Sequence, residues 1–231
     1  YDFQFGNNCF LIIIYYILRR RLYYVTFMTM KNYHIGLTGS MGSGKSTVAK
    51  ILMQKGVPVY FADDSAKRLM IENMELMDAI TSEFGEGVYM NGVLQRAELA
   101  KRAFSSSEAT ARINALVHPA VHDDFVRWHQ KQKAVYVIRE AAILFESGTY
   151  ENCDSIILVE ASLDNRVQRV KSRSKLNEEQ IKQRMSHQIP QAKKRSMLTE
   201  KDYIIENDQS LMDLNKQVDF LHESLLNRFS R

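Results

Sequence analysis

The chain has 231 residues, of which 45% are hydrophobic and 25% charged, with a formal net charge of +4. These are ordinary globular values for one sizeable α/β domain, and half of the positive excess lies in residues 1–29, where Arg19, Arg20 and Arg21 outweigh Asp2, so the charge does not point to nucleic acid as the main partner. The two cysteines, Cys9 and Cys153, exclude a disulfide framework and a cysteine metal site, which makes a reducing cytoplasm the expected compartment.

Residues 1–29 read as an extension outside the folded domain. The apolar run 9–18 is too short to span a bilayer unaided, and its arginines follow it, whereas a secretory signal places positive charge first. The expectation is a domain over residues 30–231, starting at Met30 or Met28, with no membrane association. A tether through residues 9–28 is the rival reading.

His34-Ile35-Gly36-Leu37-Thr38 is a short apolar strand running into Gly39-Ser40-Met41-Gly42-Ser43-Gly44-Lys45-Ser46-Thr47, which fits the phosphate-loop pattern G-x-x-x-x-G-K-[ST]. A helix over 46–55 follows, with Val48, Ile51 and Leu52 on one face and Gly56 as its stop. Glycines let successive N–H groups turn inward at the helix start and form a concave anion site. Met41, Gly42, Ser43, Gly44, Lys45, Ser46 and Thr47 are therefore expected to hold a nucleoside triphosphate, with Lys45 on the β- and γ-phosphates and the Ser46 hydroxyl on Mg²⁺.

A second strand, 57–61, carries Pro58 near its start and ends in Ala62-Asp63-Asp64. Strand ends face the ligand crevice in open α/β sheets, so Asp63 is the candidate for accepting a substrate hydroxyl proton, and Asp64 for capping a helix near Ser65. Residues 65–133 are almost wholly helical in pattern. Leu69, Met70, Met74, Met77, Ile80 and Phe84 recur at helical spacing, and Asn91-Gly92 marks a hairpin. Helices are expected over 96–104 and 108–117, then a break at His118-Pro119, then a helix over 120–133. So much helix between two strands exceeds one crossover; an insertion of about 69–133 is expected to bind the second substrate, with His118 either a contact to it or a structural helix-end histidine.

A third strand over 134–138 leads to Arg139 and Glu140 at the crevice edge, where Glu140 could serve the Mg²⁺ shell. A fourth strand over 154–159 precedes a helix capped by Ser162, on which Arg166, Arg169 and Arg173 share a face. With a second helix over 178–188 they form an expected lid of about 162–195. Arg166 and Arg173 are the candidates for neutralising transition-state charge, and Lys193, Lys194 and Arg195 are assigned to the surface. A fifth strand, 203–205, and a long helix with Leu211, Leu214, Val218, Leu221, Leu225 and Phe229 on one stripe complete the chain. The expected fold is α/β in three layers, a phosphate-loop kinase with a parallel five-stranded sheet, a helical substrate-binding insertion and a helical lid.

Taken in order, these motifs resemble the dephospho-CoA kinase family over about residues 34–226. The resemblance rests on Ile35-Gly36-Leu37-Thr38-Gly39 with Gly42 to Ala49, on Pro58-Val59 through Asp63 with Ala66-Lys67, and on Phe84-Gly85, Leu94-Gln95-Arg96 and His118-Pro119. It continues through Leu144-Phe145-Glu146-Ser147-Gly148 and Asp202-Tyr203-Ile204-Ile205-Glu206-Asn207. Two departures stand out: Phe61 replaces a frequent acid, and Glu140-Ala141-Ala142 replaces the usual Asp-Val-Pro. The resemblance implies transfer of the ATP γ-phosphoryl group, as its Mg²⁺ complex, to the 3′-hydroxyl of dephospho-CoA. Asp63 would be the general base, with Lys45, Arg166 and Arg173 assisting and Arg96 and His118 contacting the acceptor in the helical insertion. Another small phosphate-loop kinase, acting on a nucleoside monophosphate or a small alcohol, is the nearest alternative. A guanine-nucleotide switch would need Asn-Lys-x-Asp, and Asn215-Lys216-Gln217-Val218 lacks the final acid. Oligomeric state is not legible at this stage.

Overall fold

The computed structural model describes residues 32–230 apart from 175 and 187, so the reading of residues 1–29 lies outside the described residues. Its strands are β1 (Tyr33–Thr38), β2 (Val59–Phe61), β3 (Tyr89–Met90), β4 (Val93–Leu94), β5 (Tyr136–Glu140), β6 (Ser155–Glu160) and β7 (Tyr203–Glu206). Strands β3 and β4 form the expected hairpin, with both Asn91 (φ 52°) and Gly92 (φ 75°) in the left-handed region that a tight primed turn requires. The other five pair in parallel in the order β2-β5-β1-β6-β7.

The helices are α1 (Lys45–Gln54), α2 (Ala62–Glu72), α3 (Met74–Phe84), α4 (Arg96–Ala103), α5 (Ser107–His129), α6 (Leu163–Lys171), α7 (Glu178–Ser186), α8 (Gln191–Ser196) and α9 (Leu211–Phe229). Side chains alternate across the sheet and sort the helices into two layers. On one face Ile35, Leu37, Ile138, Ile157 and Val159 pack with the apolar sides of α1 and α9. On the other, Val137 and Ile156 meet α2, α3, α4 and α5. No helix among the described residues is long and apolar enough to cross a membrane.

Two expectations need correction here. The proline at 119 does not end a helix, because α5 runs unbroken from Ser107 to His129. Proline deletes one backbone donor and crowds the carbonyl one turn back, while Ile113, Val117, Val121 and Phe125 at fourfold spacing are all buried against the core; packing along that stripe outweighs both costs. The third strand is also shifted, from the expected 134–138 to Tyr136–Glu140. Its register pairs Glu140 with Leu37 on one side and with Phe61 on the other. Arg139 and Glu140 are therefore inside the sheet, and their alternation sends them to opposite faces.

His34 is 7% exposed, with its ring 4.5 Å from Phe125 and Nδ1 3.1 Å from the Asn152 carbonyl. Burial, with the charges of Arg139 and His129, lowers its pKa from 6.5 to about 4, against smaller raising effects of the Asn152 carbonyl and Asp154. The unfolded chain thus binds this proton more readily than the fold. The resulting stability is complete above pH 6.5, declines as the pH falls, and is fully lost below about 4. Urea unfolding at pH 7 and pH 4.5 should show the wild type losing about 2 to 3 kcal/mol more than His34→Asn across that interval. Equal losses in the two proteins would assign the acid sensitivity to other groups.

Candidate active site

Between β1 and α1, residues 39–44 form the loop that the glycine pattern predicts. Helix α1 opens on Gly44 (φ 100°) with no side-chain cap, leaving its first-turn N–H groups directed at the hollow. Gly42 (φ 81°) is required by close approach as well as by its dihedral, since a Cβ there would lie 2.5 Å from the Arg166 carbonyl oxygen. Lys45 folds back so that Nζ donates to the Gly39 carbonyl at 2.8 Å, and Met41 N–H donates to Gln188 Oε1 at 2.8 Å. Ser46 is exposed at the helix start, and Thr47 is half-buried beside it. The hydroxyls of Thr38 and Ser43 are buried without partners, a cost that oxygen-rich ligands would remove.

Lys45, Asp63 and Glu140 form one electrostatic unit. Burial lowers the Lys45 pKa, while Glu140 and Asp63 pull it upward. Burial raises Glu140 to about 7, with Lys45 opposing and Asp63 adding to the shift. Asp63 shifts upward as well, chiefly through desolvation, against the attraction of Lys45 and Lys67. Its carboxylate is open to solvent from the crevice, yet crevice walls crowd it closely enough to disfavour charge. The expectation of a strand-end acid is corrected in detail: α2 begins at Ala62, so Asp63 and Asp64 both lie in its first turn, and neither side chain caps it. The positive end of that helix favours the ionised form of Asp63.

Beyond Asp63 a cavity of about 390 Å³ opens between the sheet and α2, α4 and α5. Asp63, Arg96, His118 and Arg139 all line it, so the structure brings the three predicted acceptor-side residues into one space. Arg96 is exposed as the first residue of α4. His118 is half-buried on α5, and burial together with Arg139 lowers its pKa, which leaves it a neutral hydrogen-bonding ring at pH 7. The walls are mostly apolar, including Leu99, Val117 and Val121, and Phe104 lies 67% exposed among the lining residues.

The arginine helix is only partly as expected. Ser162 caps α6 through its hydroxyl, which accepts from Asn165 N–H, and the backbone of Arg166 rests against Gly42. Arg166 Nε and Arg169 Nη1 are buried without partners, and Arg169 Nη2 donates to the Asn207 carbonyl at 2.7 Å. Asn207 in turn donates from Nδ2 to the Ser43 carbonyl at 2.8 Å, so Arg169 is tied to the phosphate loop through one residue. Arg173 does not join them: α6 ends at Lys171, and Arg173 is exposed on the following turn.

Lys194 is the clearest correction. Expected at the surface, it is fully buried, with Nζ 3.0 Å from Glu146 and close enough to Lys45 to depress its pKa. Lys193 and Arg195 are exposed as expected, and Arg195 pairs at 3.0 Å with the buried Glu160. The reason is tertiary: Glu146 lies on a distant loop, where it also accepts from Ile189 N–H at 3.0 Å, and a buried cation needs an acid. Lys194 carries no local signature in sequence and is recognisable only through a partner far away along the chain. Asn207 closes the last strand motif, but its tie to the phosphate loop is visible only in the structure.

Comparison with known proteins gives a consistent picture. A family model described as dephospho-CoA kinase matches residues 33–213. A protein of Mannheimia succiniciproducens named dephospho-CoA kinase is 37% identical over 178 residues, covering 77% of this chain and 82% of its own. A crystal structure from Thermus thermophilus superposes with a TM-score of 0.73 at 34% identity, covering 84% of this chain and 98% of the other. A dephospho-CoA kinase structure from Campylobacter jejuni gives 0.62 at 25% identity, over 83% and 96% of the two chains.

Proposed function

The chain belongs to the dephospho-CoA kinase family of ATP-dependent phosphotransferases, which carry out the final step of coenzyme A synthesis, and from that premise we propose how its residues divide the work. The observation that carries the reading is the shared electrostatics of Lys45 in the phosphate loop and Asp63 on the wall of the apolar cavity. Donor and acceptor chambers meet at that pair.

The loop amides of residues 41–47 and the Lys45 ammonium hold the triphosphate of ATP, with the Thr38 and Ser43 hydroxyls as further donors. Ser46 and the Glu140 carboxyl are the groups that would hold Mg²⁺, which when bound neutralises charge between the β- and γ-phosphates. Mg²⁺ takes most of its ligands from phosphate and water, so a cluster of three acids is not required, and none occurs among the described residues. Asp63 accepts the proton of the acceptor 3′-hydroxyl as that oxygen bonds to the γ-phosphorus and the bond to the β-phosphate oxygen breaks. Arg166 and Arg169, with buried donors lacking partners, stabilise charge on the transferring group. Helices α6 and α7 act as the lid, with Gln188 on Met41 N–H as its contact to the loop. Arg96 and His118 contact the acceptor within the apolar cavity. The buried free thiol of Cys153 suits a reducing cytoplasm.

The test is coupled ADP release with ATP and Mg²⁺ against dephospho-CoA, nucleoside monophosphates, adenosine and shikimate. Turnover restricted to dephospho-CoA is expected. Turnover with another member and none with dephospho-CoA would overturn the assignment.

A further inference from the structure

Arg139 is a strand cation buried at the wall of the acceptor cavity. It sits near the end of β5, paired in register with Tyr60 on β2 and with Gly36 on β1. Its alternation with Glu140 points it away from the phosphate loop and into the helical layer, where it lines the same cavity as Asp63. The residue is only 4% exposed. Its guanidinium carbon lies 4.9 Å from the centre of the Phe125 ring, an apolar support for the planar cation. Nε and Nη1 are inaccessible and make no hydrogen bond.

Among the described residues no counter-charge faces it either. The groups whose charge bears on Arg139 are the Cys153 thiol and the Tyr60 hydroxyl, neither of them an acid at pH 7. The acid on the adjoining helix, Asp124, is engaged elsewhere: its Oδ2 accepts from Tyr60 Oη at 2.8 Å and from Arg68 Nη2 at 2.6 Å. Arginine cannot shed its proton to escape burial, so an unpaired guanidinium here is a standing cost to the fold. A planar fork of donors at the wall of a ligand cavity matches a phosphate or diphosphate, which it can grip with two parallel hydrogen bonds.

We propose that Arg139 is a specificity-determining residue that pairs with the 5′-diphosphate of the acceptor, selecting dephospho-CoA over uncharged adenosine derivatives that share its ribose 3′-hydroxyl. The proposal rests on the acceptor reading given above. It assigns the donor site no part: Arg139 and Glu140 lie on opposite faces of the sheet, so the ATP phosphates belong to Lys45 and the lid arginines.

Calorimetry of dephospho-CoA and of adenosine binding to the wild type, Arg139→Met and Arg139→Lys, with turnover measured in parallel, tests it. In Arg139→Met, dephospho-CoA affinity should fall about 10²-fold, as expected for losing a buried charge pair, while adenosine affinity changes less than threefold. In turnover the loss should appear in KM for the acceptor and not in KM for ATP. Arg139→Lys should recover part of it, because a point charge replaces a fork. The unfolding midpoint of ligand-free Arg139→Met should equal or exceed that of the wild type, since an unpaired buried charge has been removed. Equal weakening of both ligands, a change confined to KM for ATP, or a lowered midpoint in the ligand-free variant would overturn the proposal. If the wild type fails to turn over dephospho-CoA, it is the functional assignment that falls; wild-type turnover with unchanged acceptor affinity in Arg139→Met refutes the role of Arg139 alone.

Discussion

Replacing Asp63 by asparagine should lower kcat by about 10²–10⁴-fold, the usual contribution of a positioned general base, while ATP affinity stays within a few-fold of wild type. The substitution is nearly isosteric, and neither Asp63 nor Asp64 caps α2, so the helix start should survive it. The pH profile adds an independent readout. Asp63 must be ionised to accept a proton, and crevice desolvation raises its pKa above the ordinary carboxylate value. Wild-type kcat/KM should therefore climb with pH along an acidic limb displaced upward from that value. In Asp63→Asn this limb should vanish from the residual activity. Full activity in the variant would remove Asp63 from the chemistry, and a retained limb would assign the titration to another group.

Substituting Lys45 by methionine should cost about 10²–10³-fold in kcat, comparable to removing one preorganised donor from a transition-state site. KM for ATP should rise too, because Lys45 is expected to touch the phosphates in both ground and transition states. Methionine keeps the stem that packs within the loop, where Lys45 is 9% exposed. Arginine is not expected to rescue activity, since its planar fork does not reproduce the compact ammonium that reaches the Gly39 carbonyl at 2.8 Å. Thermal unfolding measured alongside distinguishes lost chemistry from lost fold, and a midpoint near wild type is expected. Wild-type kcat in Lys45→Met would contradict the phosphate-binding role of the loop.

The two variants report on different chambers. Lys45 belongs to the donor side, built almost entirely by one contiguous stretch, and its role follows from a local pattern of glycines ahead of a helix. Asp63 belongs to the acceptor side, where one acid gains meaning only from the cavity that α2, α4 and α5 enclose around it. The same contrast runs through the arginines. Helical spacing put Arg166, Arg169 and Arg173 on one face. The structure ends α6 at Lys171, leaving Arg173 outside, and ties Arg169 to the phosphate loop by way of Asn207.

Sequence by itself determined whatever depends on neighbouring residues. The phosphate loop, the five apolar strands, the Asn91-Gly92 hairpin, the Ser162 cap and the stripe of α9 were all legible, because backbone dihedrals, capping and side-chain periodicity are set within a few positions. Only the tertiary structure decided the rest. It carried α5 straight through Pro119, because burial of Val117, Val121 and Phe125 outweighed the missing hydrogen bond and the crowded carbonyl. It drew Lys194 from the expected surface to Glu146, 48 positions away, and it left Arg139 buried with Nε and Nη1 unpartnered among the described residues. Burial and charge pairing depend on what lies across the fold, and no window of adjacent residues contains that information.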